Sequence, residues 1–287
     1  KVKLPVNMPS MDKIKPDTHA LEKWKSTYKG PYVLSCKLDG VSGLYVSGNV
    51  DDKSPRLYTR GNGLVGQDVS HLIPYLALPT KSGLVLRGEF VISKSTFDAK
   101  YASTFANPRN FVAGVVNQKK AEVEKFVDID FVCYEVIRPV MKPSEQMAML
   151  TNMGVIAVKH TMPPVDSESL TNELLSEMLQ KSRVDYTYEI DGIICSDDNI
   201  YPRSNGNPAH AFAFKMMLSD QIAEAKVLEI IWSPSKDGFL KPRVHIEPVV
   251  LGGARIEYAT GFNAKFVNDN RIGTSAVVRI IRSGDVI

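Results

Sequence analysis

The period of the apolar residues changes several times along the chain, and each change marks an element. A polar opening stretch is broken by Pro5, Pro9 and Pro16, after which His19 to Tyr28 can form a short helix. From Gly30-Pro31 onward, β-branched and aromatic segments at 32–37, 43–46, 56–59 and 83–92 read as strands bounded by Gly, Asp and Pro. Ser93 is placed to cap a helix through Tyr101, and Pro108 to open one over 107–118, because proline suits a first helical turn. The segment 128–137 reads as a strand with Phe131, Cys133 and Glu135 on one side and Val132, Tyr134 and Val136 on the other. Helices are expected over 144–152 and 166–181; in the second, Leu170, Leu174, Leu175, Met178 and Leu179 form an apolar stripe. Buried strands over 190–195 and 211–215 finish this region.

A boundary is expected near Met217–Ile222, because the helical period nearly vanishes beyond it. Strands at 225–232, 241–250, 255–260 and 276–282, turns at Lys236-Asp237-Gly238 and Gly252-Gly253, and one helix over 263–269 suit a small OB-fold barrel. The expected fold class is therefore α+β: a mixed domain over 1–217 followed by a β-barrel over 218–287. A length of 287 residues accommodates both.

Composition changes this picture little. At 44% hydrophobic and 23% charged, the chain is neither disordered, collagen-like nor a coiled coil. The absence of a run of about 18 apolar residues argues against a helical membrane span. Cys36, Cys133 and Cys195 are dispersed and odd in number, which suits buried thiols in a reducing compartment and an intracellular location. A chain opening on Lys1 without a signal-peptide pattern reads as a piece of a longer protein. The net charge of +3 does not decide for or against nucleic acid, since a local basic patch is invisible to the total.

Candidate chemistry lies in short motifs, each of which also has an ordinary structural reading. Lys37-Leu38-Asp39-Gly40 closes a strand, where a lysine can be a covalent nucleophile or simply precede an Asp-Gly turn. Thr59-Arg60-Gly61-Asn62-Gly63 can meet phosphate or make a hairpin loop. Arg87-Gly88-Glu89 puts an acid in mid-strand, where it needs a partner or faces solvent. Asp191, in Glu189-Ile190-Asp191-Gly192, can hold Mg²⁺ or orient an amine, or else sit in a turn. Lys215, after Phe212-Ala213-Phe214, can face the same pocket or snorkel to solvent.

In this order the motifs resemble those of the NAD-dependent DNA ligases, as do Phe105-Ala106-Asn107-Pro108-Arg109-Asn110 and the closing Ser283-Gly284-Asp285-Val286-Ile287. The resemblance runs from about Leu4 to Ile287, and Ser42 stands where ATP-dependent ligases and capping guanylyltransferases carry arginine. It implies a nucleotidyltransferase domain, NAD⁺ and Mg²⁺ as the small molecules, and sealing of 5′-phosphate/3′-hydroxyl nicks in duplex DNA through AMP carried on Lys37. It places Asp39 and Asp191 beside the lysine, Glu89 near the ribose, and Asp191 with Glu89 at the metal. Arg60, Arg109 and Lys215 would neutralise phosphate, Tyr134 would stack on adenine, and Ser10 and Arg183 would belong to the nucleotide site. Lys236, Lys241, Arg243, Lys265 and Arg282 are the expected DNA contacts, with salt-sensitive binding. The chain is expected to be monomeric.

Three positions depart from the family pattern: Ser35 replaces a glutamate, Asn117 an arginine and Ser196 a lysine, with Arg203 the candidate substitute cation. The family's nicotinamide mononucleotide-binding, four-cysteine zinc, helix-hairpin-helix and BRCT domains find no counterpart in these residues. Weak self-adenylylation from NAD⁺ is the corresponding expectation, with chemistry on a pre-adenylylated nick better preserved. The departures also leave open a DNA-binding clamp without catalysis, or an ATP- or GTP-using nucleotidyltransferase.

Overall fold

The computed structural model describes residues 1–16, 18–48, 54–118, 122–216, 222–251, 254–282 and 286–287. The chain divides into two compact units, Lys1–Met216 and Met217–Ile287. Much of the expected boundary at 217–222, the turn at Gly252-Gly253 and the Ser283-Gly284-Asp285 motif lie outside the described residues.

The first unit opens with β1 (Val2–Lys3), β2 (Lys13–Ile14) and α1 (Ala20–Thr27). Next come β3 (Tyr32–Leu38), β4 (Val41–Val46), β5 (Arg56–Thr59), β6 (Val65–Gly66), a 3₁₀ turn at Ser70–Tyr75, and β7 (Val85–Val91). Then follow α2 (Lys94–Lys100), α3 (Pro108–Val116), α4 (Val123–Phe126), β8 (Asp130–Arg138), α5 (Pro143–Asn152) and β9 (Ile156–Ala157). The unit ends with α6 (Asn172–Asp185), β10 (Ile190–Asp197) and β11 (Ala211–Phe214). One sheet has the order β5-β4-β7-β8-β9, another β2-β11-β10-β3, and β1 pairs with β6.

The Ser93 side chain caps α2 by accepting from the Thr96 N–H, and Asn107 caps α3 ahead of Pro108. The helix expected over 166–181 begins six residues later. Thr171 accepts from the Leu174 N–H and caps it there, while Asp166 closes a separate turn onto Ser169 N. Leu170 is buried, but it precedes the helix rather than belonging to its stripe. The very short strands β1, β2, β6 and β9 carry too few residues to show a period.

The main core of this unit is shared by its two larger sheets, with Phe90, Phe131 and Val132 buried from one and residues of β3, β10 and β11 from the other. Cys36, Ile193, Cys195, Phe212 and Phe214 are all buried there. The three cysteines are free, and burial pushes their thiols up, that of Cys133 to about 12, so they are inert at neutral pH. Within β3 every residue is buried except Lys37, which is half-buried.

The second unit holds β12 (Ile222–Pro234), β13 (Leu240–Leu251), β14 (Ala254–Thr260), α7 (Ala264–Asp269) and β15 (Val277–Ile281). Its sheet has the order β14-β13-β12-β15, all pairs antiparallel. Ala225, Val227, Val244, Ile246, Leu251 and Ile280 form its core. The expected turn at 236–238 is there, with Gly238 at φ 81° and the Ser235 N–H donating to the Phe239 carbonyl.

Candidate active site

In the antiparallel ladder between β3 and β10, Ile190 lies opposite Leu38 and Gly192 opposite Lys37, leaving Asp191 as the extra residue of a bulge. A bulge re-aims a side chain that regular pairing would direct elsewhere. Here the Lys37 ammonium donates to Asp191 Oδ1 at 3.0 Å. The Lys215 ammonium, one residue beyond β11, donates to Oδ2 of the same carboxylate at 2.8 Å. Burial pushes the Asp191 carboxyl up, but the two ammoniums outweigh it and hold the group below the usual carboxylate range. A side chain on Gly40 would come within 2.0 Å of the Phe90 carbonyl, so only glycine lets the Asp39-Gly40 turn lie on β7. Asp39 there accepts from Arg109 Nη1 at 3.3 Å, which joins the first turn of α3 to the end of β3.

The other sheet supplies a second group of residues. Arg87 and Glu89 alternate along β7, and Ser42 on β4 is opposite Glu89. In the β7–β8 ladder Gly88 faces Cys133 while Arg87 faces Glu135, so Tyr134 is a second bulge residue. This corrects the simple alternation expected for 128–137, because Val132 pairs with Glu89 and Glu135 with Arg87, which puts Glu135 on the face of Val132 and not on that of Cys133. The Tyr134 hydroxyl and Ser42 Oγ are 2.8 Å apart, and the Arg87 guanidinium carbon stands 5.7 Å from the centre of the tyrosine ring.

The description of an NAD-dependent DNA ligase adenylation domain matches residues 7–217 as a family model. The chain belongs to that family. Among its relatives, a DNA ligase of Acanthamoeba polyphaga mimivirus is 42% identical over 296 residues, covering all of this chain and 45% of the viral protein. A putative DNA ligase, 205R, of Invertebrate iridescent virus 6 is 38% identical, covering all of this chain and 48% of the relative. A DNA ligase of Mycoplasma mycoides is 27% identical over 98% of this chain and 44% of its own length. The chain thus spans a little under half the length of these relatives.

The adenylation-domain residues expected to act together are divided by the fold into a tight cluster and a periphery. Lys37, Asp191 and Lys215 form the cluster, with the Asp39–Arg109 pair two residues along the chain. Arg183, in the last turn of α6, donates to the Ile190 carbonyl at 3.3 Å, beside the bulge. Arg60 donates through Nε to the Met8 carbonyl at 2.9 Å, and Ser10 is exposed two residues further on. Arg203 pairs with Glu135 and with the Asn7 carbonyl, so its contacts lie with the second sheet and the N-terminal segment. Ser35 is buried on β3, Ser196 is half-buried on β10, and Asn117 ends α3 by donating to the Ala113 carbonyl. The motif reading did not single out Glu135 at all; only its place across the ladder from Arg87 reveals it.

Among the expected DNA contacts, Lys241 and Arg243 alternate along β13 and are exposed, and Lys236 is exposed in the turn just before. The Arg243 guanidinium lies 3.9 Å from the centre of the Tyr258 ring. Lys265 is paired with Asp269 at 2.8 Å, and Arg282 is half-buried.

A nucleotide fits these donors. A buried Arg87 Nε has no hydrogen-bond acceptor among the described residues, so a bound polar group would satisfy it. Magnesium finds no ready cage, since no group of three or more His, Cys, Asp or Glu is assembled among the described residues. Asp191 and Glu89 fit it only in the manner usual for Mg²⁺, one or two carboxylates completed by substrate phosphates and water.

Glu89 holds a proton more firmly than an ordinary carboxylate. Burial raises its carboxyl from an ordinary 4.5 to about 7, against the pull of Lys37 and Arg87, with Asp191 adding to the rise. An acid raised in the folded state is more often protonated there than in the unfolded chain, so its contribution to stability falls as pH rises from about 4.5 to 7. Glu89→Gln removes this pH-dependent cost. Its thermal midpoint is expected to gain a few degrees on the unsubstituted protein between pH 5 and pH 8. Melting curves across that range check it, and a pH-independent gap would refute the assignment.

Proposed function

We propose that the chain is the adenylation and DNA-gripping core of an NAD-dependent DNA ligase, sealing 5′-phosphate/3′-hydroxyl nicks through AMP held on Lys37. The observation that carries this reading is the sharing of one bulged carboxylate, Asp191, by two ammoniums, one of them on the only half-buried residue of β3. Asp191 orients Lys37 Nζ by holding its ammonium, which gives up a proton to solvent before the amine attacks, while Lys215 stands ready to meet phosphate charge. Attack by the Lys37 amine on the α-phosphorus of NAD⁺, which is consumed as a substrate, forms the P–N bond and expels nicotinamide mononucleotide. Arg109 and Lys215 neutralise the phosphoryl oxygens, and Tyr134 offers its ring to the base. A magnesium ion held by Asp191 and Glu89 would supply charge neutralisation at the same oxygens. Transfer to the 5′-phosphate of the nick and displacement by the 3′-hydroxyl then use the same cations. Positioning and electrostatics suffice for such phosphoryl chemistry.

The family model and Ser42 favour NAD⁺ over ATP as the donor. The exposed Lys236, Lys241 and Arg243 on the second unit suit the backbone of nicked duplex DNA, and no described helix is long and apolar enough to cross a membrane. Intact-mass analysis after incubation with Mg²⁺ and either NAD⁺, ATP or GTP tests the donor. One AMP is expected on Lys37 from NAD⁺, slowly, and none from ATP. An adduct from ATP or GTP but not NAD⁺ overturns the assignment.

A further inference from the structure

Three consecutive carbonyls near the N-terminus each accept from a different arginine. Asn7 O takes Arg203 Nη2 at 3.0 Å, Met8 O takes Arg60 Nε at 2.9 Å, and Pro9 O takes Arg87 Nη2 at 2.9 Å. The arginines come from three places: the β10–β11 connection, the end of β5, and β7. Met8 is fully buried, and its N–H donates to the Gly63 carbonyl, so this segment is a strap fixed from both sides. Arg60 and Arg87 belong to motifs already discussed, whereas Arg203 does not.

Arg203 makes a second contact that explains its place. Its other amino group, Nη1, pairs with Glu135, which lies directly across the β7–β8 ladder from Arg87. Arg87 is therefore set between two acids, Glu89 on its own strand and Glu135 opposite. With Glu135 neutralised by Arg203, the Arg87 guanidinium stays over Tyr134 and on the Pro9 carbonyl. Freed of Arg203, Glu135 competes for Arg87 and draws it away from the ring. The Arg203–Glu135 side chains are 33% and 29% exposed, so such a pair adds little to folding stability by itself.

We infer that Arg203 is a positioning residue for the nucleotide site: by occupying Glu135 and holding the Asn7 carbonyl, it keeps Arg87 on Tyr134 and the Asn7–Pro9 strap in place. The inference rests on the reading of Tyr134 as the base-stacking ring. It gives the chain a cation that supports nucleotide binding from outside the Lys37 cluster.

Calorimetric titration with AMP tests it, with thermal midpoints as the control for folding. Arg203→Ala is expected to weaken AMP binding about tenfold, a coupling typical of residues in one network. Adding Glu135→Ala removes the competing acid, so the double variant should bind AMP at least about threefold more tightly than Arg203→Ala alone. Arg203→Lys keeps the charge beside Glu135 but lacks the fork that reaches both partners, and should fall between. A double variant as weak as Arg203→Ala, or weaker, overturns the mechanism, because an uncompensated Glu135 would then not be what draws Arg87 from the ring. If the unsubstituted chain binds AMP and Arg203→Ala binds it equally well, this inference alone fails. If the unsubstituted chain binds no AMP, the proposed function fails and takes the inference with it. Should Arg203→Ala not fold, Arg203→Gln with and without Glu135→Gln reads the same comparison.

Discussion

Lys37→Ala is expected to abolish the AMP adduct and to lower sealing of a 5′-phosphate nick by at least about 10⁴-fold, the scale on which removal of a covalent nucleophile acts. Nothing else in β3 can take its place, since every other residue of that strand is buried. Two controls make the result specific. Affinity for nicked duplex DNA should stay within about twofold, because phosphate-backbone contacts dominate such binding and Lys37 lies far in sequence from the expected DNA contacts. Joining of a nick already carrying AMP on its 5′-phosphate should survive in part, because the bond to Lys37 has been broken by that stage. Gel assays of both substrates, with intact-mass analysis, measure these quantities. An unsubstituted chain that binds nicks yet forms no adduct and joins neither substrate would instead be the DNA-binding clamp.

Asp191→Asn should be nearly as damaging, lowering adduct formation by about 10²–10³-fold, the usual effect of losing one preorganised electrostatic group. The amide preserves the size of the side chain and the bulge, but it cannot balance two ammoniums held 3.0 and 2.8 Å from the same group. Lys37 and Lys215 then repel each other across a neutral side chain, and the nucleophile loses its orientation. Because the three groups form one network, Asp191→Asn combined with Lys215→Met should cost less than the product of the two single effects. Single-turnover adduct formation measures all three variants. An Asp191→Asn enzyme within about threefold of the unsubstituted rate would show that the carboxylate is not required.

The pH behaviour follows from the same cluster. Asp191 is held low by its ammoniums, so the stability it contributes is present above the ordinary carboxylate range and is lost as pH falls through its depressed value. Glu89 acts in the opposite sense, its cost growing as pH rises toward about 7. Two carboxylates on different sheets, close enough for one charge to act on the other, are thus driven apart in proton affinity by their surroundings, a common arrangement where groups must act differently at one pH.

Much of the fold is written locally. Ser93 before α2 and Asn107-Pro108 before α3 show in the sequence because a cap is a bond between near neighbours. The strands over 32–38, 56–59 and 190–197 show because their residues are buried on both faces or alternate with a period of two. The start of α6 was obscured because Leu170 continues the helical spacing of Leu174 and Leu179, although the Thr171 cap places it outside the helix.

By itself, then, the sequence determined which chemical groups the chain possesses and roughly which elements carry them: a strand-end lysine, an Arg-Gly-Glu strand, an Asp-Gly strand, a closing Phe-Lys, and a second part of strands with one helix. Tertiary structure alone decided how those groups are partnered. The bulges at Asp191 and Tyr134 come from ladder register between distant strands, and one extra residue in a ladder leaves no mark on the local period. Asp191 meets Lys37 across 154 residues and Lys215 across 24, and Glu89 acquires its proton affinity from burial and from charges on other strands. Arg203 meets Asn7 across 196 residues. Electrostatic energies depend on distance and solvent exclusion in space, and neither quantity exists in a chain until it has folded.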